Sequence, residues 1–226
     1  MAQDRPLDLA VVGNCEISAL IDRCGTIVWM CLPHPDGDPV FNALLRKELG
    51  TSPRGVFAVE LADLASSEQH YQLNTAIVET TLTSNDGSVV RITDFCPRFE
   101  ARGRISRPPA LVRTIEPLAG RPRVRLRLTP EKNYGAEPGM VSCGSHHMTL
   151  ETQHHHYRIS TDASLRQITE STLTLLDAPL TFVIGPDEPL NESAHTLAVR
   201  WLEETRHYWQ VWSRGLAIPY EWQDEV

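Results

Sequence analysis

Apolar, β-rich runs follow one another from residue 18 to residue 184, separated by turn signals about every ten residues. That rhythm leaves little room for anything but an antiparallel all-β domain. The clearest run is 121–128. There Val124, Leu126 and Leu128 alternate with Arg123, Arg125 and Arg127, the period of two that a half-buried strand needs. Further strands are expected at 56–61, 110–115, 140–143, 147–150, 155–159, 171–176 and 180–184. Runs 76–83 and 88–95 flank Ser84-Asn85-Asp86-Gly87 and read as a hairpin. Another hairpin joins 18–21 to 26–32 through Asp22-Arg23-Cys24-Gly25, with Gly25 where a bulged turn wants positive φ. It delivers a proline-bounded loop, Pro33-His34-Pro35-Asp36-Gly37-Asp38-Pro39. Rigid polar loops on a β scaffold are where function tends to sit.

The rhythm breaks once, near Glu192, where a helical period runs to about Arg214. Ala194, Leu197, Ala198, Trp201, Thr205, Tyr208 and Trp212 share one face, with Leu202 and Trp209 at its margin. Asn191 is the expected N-cap, Glu192 falls in the first turn and Gly215 suits the C-terminal end. After it, 218–226 reads as the start of another helix, so further chain is expected beyond it.

The 226 residues suffice for one large domain or two small ones. A net charge of −8 argues against a nucleic-acid surface, and no apolar run is long enough to span a membrane. The first six residues lack a secretory pattern. Five cysteines, an odd number, fit a reducing, cytoplasmic setting. Cys15, Cys24, Cys31 and Cys96 lie in or beside apolar strands and read as small core residues.

Four patterns bear on chemistry. His146, His147, His154, His155 and His156 could gather around zinc, but adjacent residues of a strand face opposite ways, and an exposed polar hairpin fits better. Cys143 near His146 is a weak nucleophile signal. Arg121, Arg123, Arg125 and Arg127 could hold an anionic sugar or phosphate; a solvated, acid-paired sheet face is the simpler reading. Asp36 and Asp38 are paired carboxylates on a rigid loop, yet Asp before Gly and Asp before Pro also make turns. No phosphate loop, zinc-protease or nucleophile-elbow motif is present. No metal and no cofactor is therefore expected.

Val12-Gly13-Asn14-Cys15, Ala19 to Arg23, Gly25, Ile27-Val28-Trp29, Cys31-Leu32-Pro33 and Pro39-Val40-Phe41 resemble the N-terminal domain of bacterial glycoside hydrolase family 15, which includes glucoamylase-like enzymes and trehalases. The resemblance continues through Val90 to Pro97, Leu111-Val112-Arg113, Pro130 and Asn133-Tyr134-Gly135. It ends on Thr205-Arg206, Tyr208-Trp209, Trp212 and Gly215-Leu216. It implies a large antiparallel β-sandwich, a helical linker and then an (α/α)6 barrel that hydrolyses α-glucosidic bonds with inversion. The two catalytic glutamates of the family belong to the barrel and have no counterparts here. Where relatives read Arg-Phe-Asp-Ser after Cys-Leu-Pro, this chain has His34-Pro35-Asp36-Gly37.

The resulting expectation is a β-sandwich over 1–190 and a linker helix with the start of the barrel over 191–226. The domain supports the barrel through Trp201, Tyr208, Trp209, Trp212 and Trp222, and His34, Asp36 and Asp38 edge the site for trehalose or another α-glucoside. Without the barrel, the tryptophan face favours self-association. The alternatives are a free-standing carbohydrate-binding module and a small hydrolase using Asp36 or Cys143.

Overall fold

Alternation along the strand Arg123–Thr129 turns Val124, Leu126 and Leu128 inward, all buried, while Arg125 and Arg127 reach Glu60 on the neighbouring strand at 3.4 and 2.8 Å. The same logic builds two sheets. The computed structural model describes residues 8–46, 54–152 and 155–216. In a seven-stranded sheet the order is Ala10–Gly13, Ser18–Ile21, Ile27–Leu32, Val56–Leu61, Arg123–Thr129 and Leu173–Leu175, with Asp38–Phe41 paired to Ile27–Leu32. An eight-stranded sheet runs Met140–Cys143, His147–Glu151, His156–Thr161, Leu180–Pro186, Leu111–Ala119, Val89–Phe95, Val78–Ser84 and Leu64–Tyr71. Each of these pairings is antiparallel. The fold is the expected all-β sandwich with a C-terminal helix.

One apolar cluster fills the space between the sheets, from Val12, Ile21, Met30 and Phe41 to Phe57, Ile92, Ile115 and Phe182. A fully buried ion pair crosses it. Arg113 donates from Nε and Nη2 to the two oxygens of Asp94 (2.7 and 2.9 Å), and to the carbonyls of Phe57 (2.8 Å) and Gly25 (2.7 Å). Its guanidinium also lies 4.6 Å from the Phe57 ring centroid. The opening hairpin is fixed from the other sheet in this way. Asp22 Oδ1 accepts from the amides of Cys24 and Thr26, and Gly25 takes φ 76°. That φ favours glycine, and a Cβ there would also come within 2.9 Å of Ile92 Cδ1.

A second apolar cluster lies on the outer face of the eight-stranded sheet. Ile77, Phe95, Val112 and Val183 meet Ala194 and Ala198 of the long helix Ala194–Arg214, with Trp201 and Leu202 partly buried beside them.

The structure corrects several expectations. Strand Leu64–Tyr71 was not anticipated, because it is polar and mostly exposed on both faces, as an edge strand permits. The one-turn helix Leu165–Thr169 is too short to show a period and buries only Ile168. The long helix is capped by Ser193, whose hydroxyl accepts from the Thr196 amide at 3.1 Å, rather than by Asn191. Glu192 stands before that cap and pairs with Arg200 at 2.5 Å. Cys15 and Cys24 are exposed, since both sit in turns between apolar runs; Cys31 and Cys96 are buried, and all five cysteines are free.

Candidate functional site

The polar loop after Leu32 is shorter than expected, because Asp38 already opens the strand Asp38–Phe41. Gly37 packs so tightly that a Cβ there would lie 2.3 Å from the Leu32 carbonyl oxygen. This path leaves no room for a larger residue at position 37. His34 is exposed and its Nδ1 lies 3.5 Å from Glu16 Oε1. Asp36 is exposed and has no hydrogen-bond or ion-pair partner among the described residues. Asp38 is occupied: its carboxylate accepts from the backbone N–H groups of Asn133 (2.9 Å) and Tyr134 (3.2 Å).

Those two amides belong to an unusual turn. Asn133, Tyr134 and Gly135 all take positive φ, at 53°, 56° and 89°. Asn and Gly tolerate left-handed backbone, but at Tyr134 it costs about 1–2 kcal/mol, so something must hold it. Asp38 does so from one side. From below, the buried Glu131 carboxylate fixes the preceding strand through Arg46 (2.5 Å) and Arg54 (2.9 Å). The turn presents Tyr134 at 66% exposure. Leu32, Pro33, Asp36, Asp38, Tyr134 and His155 are among the residues that line a cleft of about 210 Å³. Burial, with Asp38 and Asp36 nearby, pushes the Cys31 thiol beneath this loop up to about 11, so it is inert at neutral pH.

A second region joins the opening stretch to the helix. Asn14 is buried and fully engaged: Nδ2 donates to the carbonyls of Pro97 (2.9 Å) and Pro108 (2.7 Å), and Oδ1 accepts from the amides of Glu16 and Ile17. Arg98 donates to the Asn14 carbonyl at 2.6 Å and stacks 5.0 Å from Tyr208 and 5.5 Å from Trp209. Its backbone N–H donates to Thr205 Oγ1, buried on the helix. Trp201 packs against Phe99, while Tyr208, Trp209 and Trp212 form a run of edge-to-face contacts. Trp212 remains 51% exposed and lines a groove of about 550 Å³ together with Phe99, Ile105, Tyr208 and Val211 and the polar Glu100, Arg102, Glu204 and His207. Trp222 lies outside the described residues.

The other candidates do not converge. His147 pairs with Ser160 and His156 with Glu151. Four residues of register separate the two histidines, about 13 Å along the strands. His146 and His155 are exposed, and His154 lies outside the described residues. Among the described residues, no three His, Cys, Asp or Glu side chains gather to hold a metal ion. Exposed Cys143 shares no hydrogen bond with His146. Of the arginine stripe, Arg125 and Arg127 are committed to Glu60, and Arg121 and Arg123 are exposed. No described helix is long and apolar enough to cross a membrane.

Sequence reasoning did not assign roles to Tyr134, Asn14, Arg98 or the Arg113–Asp94 pair. For Tyr134, Asn14, Arg113 and Asp94 the signal is present only as resemblance, in Asn133-Tyr134-Gly135, Gly13-Asn14, Leu111-Val112-Arg113 and Val90 to Pro97, and Arg98 has none. No local pattern tells that such residues meet across more than 80 positions of chain, as Asn14 and Arg98 do.

The comparisons with known proteins agree with that resemblance. Trehalase of Thermoplasma volcanium is 26% identical over 210 residues, covering 89% of this chain and 33% of the relative. Trehalase of Thermoplasma acidophilum is 27% identical over 202 residues, covering 86% of this chain and 34% of the relative. A shorter match, 30% identical over 83 residues, covers 37% of this chain and 12% of trehalase from Mycobacterium tuberculosis. The chain thus spans about a third of the length of the Thermoplasma relatives it matches. No solved structure matches it. Residues 3–173 match the family described as "Trehalase-like, N-terminal", and the chain belongs to that family.

Proposed function

We propose that this chain is the non-catalytic N-terminal portion of a trehalase-type hydrolase whose catalytic (α/α)6 barrel, of the family 15 kind, lies in further sequence. Its work is to hold that barrel on the face of the long helix and to lend the rim around Asp36 to the glucoside site. The observation that carries this reading is the seam. Asn14, Arg98 and Thr205 fix the helix to the sandwich, yet Trp212 and Val211 at its far end, with Ile105 opposite, stay about half exposed along a groove that mixes these apolar residues with Glu100, Arg102 and His207. Such a patch on a fixed element suits a second body. The match to trehalases about three times longer supports reading that body as the rest of such a protein. A cytoplasmic setting belongs to the same reading, in keeping with five free cysteines.

The experiment is to express the chain with the rest of its reading frame and supply trehalose. Inversion attacks one anomeric carbon from the opposite face, so each trehalose yields one α- and one β-glucose at first release, which NMR resolves. The 226-residue chain alone is expected to hydrolyse none, and to self-associate in sedimentation runs as its concentration rises. Hydrolysis by the chain alone, or an extended protein inert toward trehalose and maltooligosaccharides, would overturn the proposal.

A further inference from the structure

We propose that Tyr134 is the stacking platform of a glucosyl subsite in the cleft beside the 33–37 loop, with Asp36 as the acceptor of sugar hydroxyls and Asp38 as the residue that positions the platform. The inference rests on the hydrolase reading and deepens it.

Three observations separate these roles. First, Tyr134 gives little to the fold. Its ring is 66% exposed, makes no ring contact with another aromatic among the described residues, and its hydroxyl bonds to none of them. Yet its own backbone is held in the left-handed region, at φ 56°, to put it there. Strain of this kind persists only where the surroundings over-determine it, and it concentrates at ligand sites.

Second, the two loop carboxylates are in opposite states. Asp38 spends its oxygens on two backbone N–H groups of the strained turn. Asp36, two residues away on the same cleft, spends none on the described residues. A solvated, unpaired carboxylate is the acceptor that vicinal hydroxyls of a sugar require, whereas Asp38 has no such freedom.

Third, the cleft has the right mixture. A pyranose has an apolar C–H face and a rim of hydroxyls. Tyr134 offers an aromatic face, while Asp36 and exposed His155 offer polar groups around it. At about 210 Å³ the cleft takes a single ring. It therefore fits the terminal glucosyl unit of trehalose or of a maltooligosaccharide. The neighbouring carboxylates Glu151 (2.7 Å) and Glu137 (3.6 Å) are both paired with Lys132, which leaves the acceptor role to Asp36.

The test titrates the 226-residue chain with trehalose and, separately, with maltotriose, reading ring and amide resonances by NMR. Saturable millimolar shifts of the Tyr134 ring are expected. Tyr134→Ala abolishes binding, and Tyr134→Phe keeps it within about twofold, because stacking needs the ring and not the hydroxyl. Asp36→Asn weakens binding roughly tenfold, the equivalent of one charge-assisted hydrogen bond, without moving the amides of Asn133 and Tyr134. Asp38→Asn weakens binding and does move those amides. Binding unchanged in Tyr134→Ala, or no sugar-dependent shift at Tyr134, would overturn the subsite. The parent reading fails separately. An extended protein that hydrolyses trehalose with the same KM in Tyr134→Ala sinks the subsite alone. Tyr134-dependent binding in a protein that hydrolyses no glucoside sinks the hydrolase alone.

Discussion

Arg113 and Arg98 do the same kind of work in two regions and finish it to different degrees. Arg113, inside the sandwich, makes four donations, pairs with Asp94 through both oxygens and stacks on Phe57. Arg98, at the seam between sandwich and helix, donates from Nη1 to one carbonyl and stacks on Tyr208 and Trp209. Its Nε and the neighbouring Trp209 Nε1 are buried without a hydrogen-bond partner among the described residues. The inner joint is complete within this chain, whereas the outer one is held mainly by aromatic contact. A buried polar group must be matched or its desolvation counts against the fold. The Arg113 joint meets that condition and the seam meets it only in part.

The largest expected effect tests the inner joint. Arg113→Ala leaves the Asp94 carboxylate and two carbonyls buried without their donor, and is expected to lower stability by about 3–5 kcal/mol in urea unfolding. Arg113→Lys keeps a charge but not the fork, and should recover only part of the loss. A value under about 1 kcal/mol for Arg113→Ala would mean that the pair is not the closure it looks like.

Arg98→Ala removes one hydrogen bond and two cation–π contacts at a partly open site. The expected cost is about 1–2 kcal/mol, clearly below that of Arg113→Ala. Equal losses for the two arginines would break the comparison.

The two regions also differed in how far the sequence disclosed them. Strand 123–129 announced itself because its inward valine and leucines and outward arginines follow the pleat. The long helix did so through its spacing, although its cap moved from Asn191 to Ser193 because a cap depends on one local hydrogen bond. Leu64–Tyr71 stayed silent, since an edge strand exposed on both faces needs no apolar period. The rim was half legible. The 33–39 loop stood out by its prolines and carboxylates, but Tyr134 reaches it from about a hundred positions away through Asp38. Contacts of that range are fixed by strand order, and neither spacing nor composition encodes them locally. The same holds for Asn14, which carries no pattern of its own and ties three segments together.

The smallest expected effect is the sharpest probe of the seam. Trp209→Phe keeps an aromatic ring between Tyr208 and Trp212, whose centroids lie 5.3 and 5.6 Å from that of Trp209, and deletes the buried, unpaired indole N–H. Two effects oppose each other. Losing part of a half-buried ring removes some apolar area, worth a few tenths of a kcal/mol to about 1. Deleting an unsatisfied donor returns about 1–3 kcal/mol of desolvation penalty. The sum favours the variant, so Trp209→Phe is expected to be neutral or more stable by up to about 1 kcal/mol in the 226-residue chain, as read by urea unfolding. The sign is what matters. Destabilisation by more than about 1.5 kcal/mol would mean that the indole N–H is satisfied in solution and that the seam is as closed as the core. The contrast between the two arginines would then be one of geometry alone, and the helix face would lose part of its case as a surface made for another body.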